Sequence, residues 1–410
     1  MLQVIIVGSG LAGLTAARVL REHHNVTVYE RGDERIATGG QGIMIAPNGH
    51  NILQSLGYEP ERVGAVPIHG IRFYNKQDNV TEDVALNLKA QFGAEYMSQK
   101  RSDFRDELLR LATTASDSLG IEGDPAKVVF GVSVIGLDPE SGTVTLSDGS
   151  TMTADVVIIA DGVHSKLRNI VLNNDQSTTK KTGLTCYRIA VSTEDAKTAL
   201  GDIPLPHWWE PSTCQNRSSL LHAADGTSRM VTAYPIRDQT MFNLSCIIKT
   251  EDSTKPATES WYAAGDSATV VELFGDFHKS LVKILGAASE VKVWELQDLD
   301  PIPTWTRGRA ILIGDAAHAM TPMQGQGANM CIEDAESFRL FAPGTRSEEV
   351  QDILKTIGTI RKARTAEVLA ETRKSHSTTG IGQRVLKNLE FNCGYKGIFE
   401  AVKSFEVRGK

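Results

Sequence analysis

Apolar residues along this chain recur at two periods, and the switches between them outline its elements. Gln3 to Val7 is a short β-branched run, Leu11 to Glu22 has helical spacing, and Val26 to Tyr29 is a second strand ending at Glu30, which together predict a βαβ unit. A glycine-rich turn between Gly39 and Gly57 leads into a helix near Gly49 to Leu56. From about Ile68 to Met97 the pattern alternates, as strands of a different sheet would, before a helix from Arg101 to Ala115. Val128 to Leu146 reads as a small antiparallel meander, and Asp155 to Ala160 as a return to the parallel sheet.

Between about Cys186 and Leu296 alternating runs return, with Pro-, Ser- and Thr-rich loops and one helical stretch from Ser260 to Leu285. Ala310 to Ile313 resumes the buried strand type, Gly327 to Leu340 is helical, and Glu348 to Ser375 forms a long amphipathic helix. The pattern therefore predicts an α/β chain whose dinucleotide-binding part is discontinuous. Residues 1–67, 98–185 and 297–345 make that part, residues 68–97 and 186–296 make an inserted substrate-binding sheet, and residues 346–410 make a C-terminal helical segment.

Composition narrows the function classes. With 410 residues and 41% hydrophobic content the chain can bury a large core, and a net charge of -7 without a Lys/Arg block speaks against nucleic acid. The first apolar run, from Leu2 to Gly8, is too short for a secretory signal, and no stretch reaches the roughly 18 apolar residues of a membrane span. Five scattered cysteines, Cys186, Cys214, Cys246, Cys331 and Cys393, form no CxxC pair. That distribution disfavours disulfides and a metal site, and suits free thiols in the reducing cytoplasm.

Three motifs carry candidate chemistry. In Gly8-Ser9-Gly10-Leu11-Ala12-Gly13 a strand precedes and a helix follows, so glycines allow a tight turn, a close approach to pyrophosphate and close helix packing. Glu30, with Arg31 behind it, ends the second strand about 17 residues after Gly13, placed for ribose hydroxyls; its charge favours FAD or NAD over NADP in this cleft. The second motif, Asp161-Gly162-Val163-His164-Ser165-Lys166-Leu167-Arg168, leaves the carboxyl edge of a parallel strand, with Asp161 either a helix cap or a ligand group.

The third motif is GDAAHAMTPMQGQGAN. Asp315 follows Gly314 at a strand edge, where it can accept from ribityl hydroxyls, and Pro322 stiffens the loop after it. Gly325, Gly327, Ala328 and Asn329 then put small residues and free N–H groups at a helix start, where a reduced, anionic flavin would be favoured. His318, between two alanines, reads as a packed and hydrogen-bonded histidine.

With these motifs in this order the chain resembles the single-component FAD-dependent aromatic hydroxylases, the p-hydroxybenzoate and salicylate hydroxylase family. The resemblance runs from Val4 to about Ala366 and adds the Gly40-Gln41-Gly42-Ile43 turn, Pro47-Asn48 and the helix-opening Arg101. It implies a Rossmann-like FAD-binding domain of the p-hydroxybenzoate hydroxylase type, an inserted antiparallel-sheet substrate domain and C-terminal helices. It further implies that Glu30 holds the adenosine ribose, that Arg101 reaches the ribityl-phosphate region, and that Gly42 and Ile43 lie near the flavin. Asp315 would bind the ribityl chain, Gly325 to Asn329 would cradle the pyrimidine edge, and the Asp161-Gly162 run would serve both tightly bound FAD and a transient NAD(P)H.

The reaction implied is a monooxygenation: NAD(P)H reduces FAD, O2 adds at flavin C4a, and one oxygen atom passes to a small aromatic or polycyclic substrate. Arg188, in GLTCYRIA, resembles the family's YR position and Tyr234 its YP strand; they are the candidate catalytic residues, either of which also reads as an ordinary residue of a half-buried sheet. Trp208 and Trp209 suit a pocket wall, an interface or the core, and do not match the WxWxIP signature of flavin halogenases. Arg361 and Arg364 fall on the family's R-x-x-R pattern and otherwise read as a solvated basic face, and the aromatics from Phe391 to Phe405 suit a covered core edge or a dimer contact. Epoxidation or Baeyer-Villiger insertion on a biosynthetic intermediate is the alternative reaction, and a non-catalytic flavin-binding protein the alternative class; the protein is expected to be a monomer or homodimer.

Overall fold

The computed structural model describes residues 1–34, 41–174, 178–252, 265–374 and 381–408. Gly40 of the glycine turn and the predicted helix start at Ser260 lie outside them. Four strands, Gln3–Val7, Asn25–Glu30, Val156–Ile159 and Ala310–Leu312, pair in parallel at the centre of a six-stranded sheet. All four residues of Val156–Ile159 are buried, as a strand covered on both faces requires. The helix Leu11–Leu20 is buried along its whole length against this core.

Lys127–Phe130 corrects the predicted meander. It pairs in parallel with Asn25–Glu30 as the edge of the main sheet, and the meander comprises Val134–Asp138, Thr143–Leu146 and Thr151–Thr153. Val128 and Val129 are adjacent apolar residues packed on the main core, a pattern of the parallel sheet rather than of a one-faced hairpin.

A seven-stranded sheet stands apart from the first. Its order is Val291–Asp298, Lys180–Ser192, Met241–Lys249, Met230–Ile236, Arg217–His222, Gly70–Asn75 and Val80–Ala85, antiparallel except where Arg217–His222 meets Gly70–Asn75. Its outer face carries its own core, where Trp209 stacks on Phe242 with centroids 4.3 Å apart and Trp208 packs beside them. The tryptophan pair is therefore core. The expected single helix ending at Leu285 is two, Ser267–Leu273 and Lys279–Gly286, because His278 caps the second by accepting from the Ser280 N–H at 3.4 Å. Thr193–Leu200 is a further helix, capped by Ser192 accepting from the Asp195 N–H at 3.0 Å. A third sheet, Gly42–Ile45, Met97–Lys100 and Val66–Pro67, lies between the two large ones.

The long helix Val350–Lys374 overturns the solvated reading of Arg361 and Arg364. Arg361 is fully buried and donates to Asp334 Oδ1 at 2.8 Å and Glu333 Oε2 at 2.6 Å, both carboxylates also being fully buried. Arg364 grips Glu333 with two bonds of 2.7 and 2.8 Å. Sequence alone left Glu333 and Asp334 unremarked, although two arginines at i and i+3 share one helix face and call for an acidic partner. No described helix is long and apolar enough to cross a membrane.

Arg361→Leu should remove the cation shared by two buried carboxylates and lower stability by about 3–5 kcal/mol in denaturant unfolding; a loss below about 1 kcal/mol would show that Arg364 and His318 suffice to hold the pair. Burial raises the Glu333 and Asp334 pKa values, but Arg361 and Arg364 at the first, and His318 with Arg361 at the second, leave both lowered. Their stabilisation is thus fully present above the unfolded carboxylate values near roughly 4 and is lost as pH falls through the lower folded values. The wild type should lose stability more steeply than Arg361→Leu when acidified below roughly pH 4.

Candidate functional site

The fingerprint turn shows why its glycines differ. Gly8 has φ +104, and a Cβ there would meet the Ala160 carbonyl oxygen at 2.5 Å; one at Gly13 would meet Gly8 O at 2.0 Å. These two carry the packing of helix on strand. A Cβ at Gly10 would meet nothing within 4 Å, because Gly10 faces a cavity. Gly10 also caps the helix Leu11–Leu20 without a side-chain hydrogen bond, so free N–H groups and the positive end of the dipole point at that space.

Glu30 closes the turn. Its Oε2 accepts from the Ser9 N–H at 2.8 Å and the Ser9 hydroxyl at 2.9 Å, and its Oε1 from the Gly32 N–H at 2.7 Å. Burial opposes the charge, yet these donors hold the carboxyl below its ordinary pKa. Arg105, missed in the sequence, donates to the Ser9 hydroxyl at 3.0 Å and fixes the same turn from behind.

Arg168 joins the second motif to the third. Its Nε donates to Ala316 O at 2.7 Å, and its Nη2 to Val163 O at 2.9 Å and Asp315 O at 3.3 Å, so the loop after one central strand holds the loop after the next. Asp161 accepts from the Lys166 N–H at 3.2 Å through Oδ2, while Oδ1 is buried without a partner. Burial pushes its pKa up, with Ser165 pulling it back.

Asp334 holds the third motif, accepting from the Gly314 N–H at 2.9 Å and from His318 Nε2 at 2.6 Å. His318 is thus a packed, hydrogen-bonded histidine. Asn329 is a strut: its Oδ1 accepts from the Ala46 N–H and its Nδ2 donates to Gly325 O, both at 2.9 Å. The helix Gly327–Glu336 has no side-chain cap at its start, which leaves a second set of N–H groups free.

Gly42 meets the seven-stranded sheet. Its N–H donates to Asn243 Oδ1 at 2.7 Å, and a Cβ there would come within 2.6 Å of the Tyr234 ring. Arg101, opening the helix Arg101–Thr113, donates its N–H to Gln41 O at 2.8 Å. Burial and then repulsion from Arg188 lower the pKa of its side chain, while Asp315 draws it up, so these three charges face one another. Arg188 lies over the Trp294 ring at 5.1 Å, with its Nε buried and without a hydrogen-bond partner. Burial pushes the Tyr234 hydroxyl up to about 12 against the pull of Arg188, which keeps it a donor at neutral pH.

One cavity of about 1030 Å³ gathers these residues. Gly8, Gly10, Glu30, Arg31, Gly42, Ile43, Arg101, Asp161, Gly162, Asp315, Gly325, Gly327 and Ala328 line it together with Arg188 and Tyr234. Gly13, Gly314 and Asn329 stand behind its wall. The sequence reading did not foresee Asn388, Leu389 and Asn392, from the C-terminal helix Ile381–Cys393, which also line it. Asn392 donates to Gln324 Oε1 at 3.2 Å and fastens that helix to the Pro322 loop. The cavity exceeds the roughly 300–1,000 Å³ of common ligand pockets and has room for a dinucleotide and a substrate. Two uncapped helix N-termini, the open side of Gly10 and the orphaned Asp161 oxygen are what such a group would fill.

A family model described as "FAD binding domain" matches residues 1–372. Hispidin-3-hydroxylase of Neonothopanus nambi is 30% identical over 419 aligned positions, covering 99% of this chain and 96% of its own. FAD-dependent monooxygenase cfoG of Aspergillus candidus is 29% identical, covering 92% and 86%. In fold the chain is similar to a salicylate hydroxylase substrate complex at a TM-score of 0.73 and 24% identity, covering 98% and 97%. The glycine turn, Glu30 and the glycine-aspartate loop converge on one cavity, and with the family model and these relatives covering nearly the whole chain, the chain belongs to the FAD-dependent monooxygenase family.

Proposed function

We propose that the protein hydroxylates a small aromatic or polycyclic secondary metabolite with NAD(P)H and O2, in the cytoplasm, as a monomer or homodimer. The observation that carries this reading is the single cavity reaching from Gly10 to Tyr234. The names of two relatives, a hydroxylase of hispidin and a hydroxylase of salicylate, support an aromatic substrate. Five buried, free cysteines support a reducing compartment. The division of the chain at residues 67, 97, 185, 296 and 345 is part of the same proposal.

FAD, when bound, would supply the redox chemistry between NAD(P)H and O2. The N–H groups at Gly10 would hold its pyrophosphate, Glu30 the adenosine ribose with Arg31 beside it, and Asp315 the ribityl chain together with Arg101. Gly42 and Ile43 would adjoin the flavin, and the helix start from Gly325 to Asn329 would favour negative charge on it. Asp161-Gly162 serves FAD and the nicotinamide donor alike. Arg188 holds a phenolate or carboxylate of the substrate, Tyr234 donates to the same group, and the helix Ile381–Cys393 keeps water from the chamber.

Three variants and a pH profile test these roles. Asp315→Ala should purify folded but without visible flavin absorbance, and a normally yellow variant would remove the ribityl role. Arg188→Ala should keep its FAD but oxidise NAD(P)H with hydrogen peroxide rather than hydroxylated product; unchanged coupling would take Arg188 out of the site. Tyr234→Phe should lower kcat/KM about tenfold, the worth of one lost hydrogen bond. Because the hydroxyl titrates near 12, the wild-type profile should show no alkaline limb from Tyr234 below roughly pH 11. Screening NAD(P)H consumption against phenols, indoles and prenylated aromatics, with oxygen-18 from O2 followed into product, tests the reaction itself. A flavin-bearing protein whose NAD(P)H oxidation no such substrate stimulates would defeat it.

A further inference from the structure

Every second residue of the strand Arg217–His222, namely Ser218, Leu220 and His222, lines the cavity. Strand pairing carries this face across the sheet. His222 lies opposite Met230 and Met230 opposite Ile247, while the neighbouring row runs Leu220, Thr232, Ser245 and Arg188. The strands of His222 and Arg188 are three spacings apart, about 14 Å at roughly 4.8 Å per spacing.

We propose that His222 is a second polar anchor of the chamber, accepting a hydrogen bond from the ring hydroxyl of a multi-ring aromatic substrate whose anionic end reaches Arg188. This rests on the reading of Arg188 and its sheet as the substrate site. Nε2 of His222 is buried and has no hydrogen-bond partner, a condition that a polar atom beside a cavity leaves for a ligand to resolve. Phe73 stacks on the ring with the planes 18° apart and centroids 6.2 Å apart, supporting it from one side. The ring turns about a soft, two-fold torsion, so a nitrogen can be set toward the cavity. Burial lowers its pKa, which keeps the imidazole neutral and one nitrogen an acceptor at neutral pH.

What lies between the two anchors is apolar or uncharged. Leu220, Met230 and Ile247 form the floor beside His222, and Met320, Met323 and Leu389 also line the cavity. Among the described residues of the seven-stranded sheet, Arg188 is the one charged group lining it. A single ring carrying both groups is too short to engage both anchors, whereas two linked or fused rings span them over a soft, methionine-rich floor.

The test compares three probes by equilibrium dialysis: trans-4'-hydroxystilbene-4-carboxylate, trans-stilbene-4-carboxylate and 4-hydroxybenzoate. Wild type should bind the first at least tenfold more tightly than either of the others. His222→Phe, which keeps the stack on Phe73, should bind the two stilbenes equally, and His222→Gln should restore part of the preference. Equal binding of the stilbenes by wild type, no binding of the hydroxylated one, a preference kept by His222→Phe, or 4-hydroxybenzoate bound as tightly would each overturn the proposal. FAD content and flavin reduction by NAD(P)H, read on the same samples, separate the two levels. Bound, reducible flavin without discrimination fails His222 alone, while a wild type without flavin fails the monooxygenase reading and the anchor with it.

Discussion

Glu333 and Asp334 are adjacent carboxylates with no access to water, and the elements around the cavity are arranged to neutralise them. Burial pushes both pKa values up; Arg361, itself fully buried, and Arg364 outweigh it at Glu333, and His318 with Arg361 outweighs it at Asp334. The remaining acceptor sites are used for positioning. Asp334 takes the Gly314 N–H and His318, and Glu333 takes Arg364 and the Asn48 side chain at 2.7 Å. The C-terminal long helix, the glycine-aspartate turn and the helix after Pro47 therefore share one electrostatic joint. Removing Arg361 from it takes a cation from both carboxylates at once in a dry interior.

That joint sets the helix Gly327–Glu336 in place, and its free N-terminus faces the cavity as a consequence. Steric limits then set the other walls. The Gly8 and Gly13 contacts bring the first helix onto the sheet, and Gly42 lets Tyr234 approach the small middle sheet within ordinary contact distance. Arg168 and Arg105 finish the frame through backbone carbonyls and a serine, without touching one another. The cavity is thus a by-product of tight packing on every side but one, and on that side the lining carries atoms with no partner.

Much of this was legible in the chain. The βαβ opening, Glu30 and the glycine-aspartate run were readable because each depends on local geometry: a φ that only glycine adopts readily, a strand that ends in a carboxylate, a helix that begins without a cap. The early edge strand Lys127–Phe130 was misread because a four-residue apolar run looks the same in a hairpin as in a parallel sheet. Arg105 escaped notice because its partner is a serine nearly a hundred positions away. Arg361 was misjudged because exposure is not a property of a residue type, and its acidic partners gave no signal beyond their own helix.

Sequence by itself determined the family-bearing turns, the order of elements and that a dinucleotide other than NADP suits the first cleft, since all of these are set by contacts within a few residues or by one βαβ crossover. Only the tertiary structure decided which charges are buried together, that the C-terminal helix lines the chamber, and that His222 and Arg188 share one face three strands apart. Pairing between strands far apart in the chain fixes those relations, and register, being a property of two segments at once, leaves no mark on either alone.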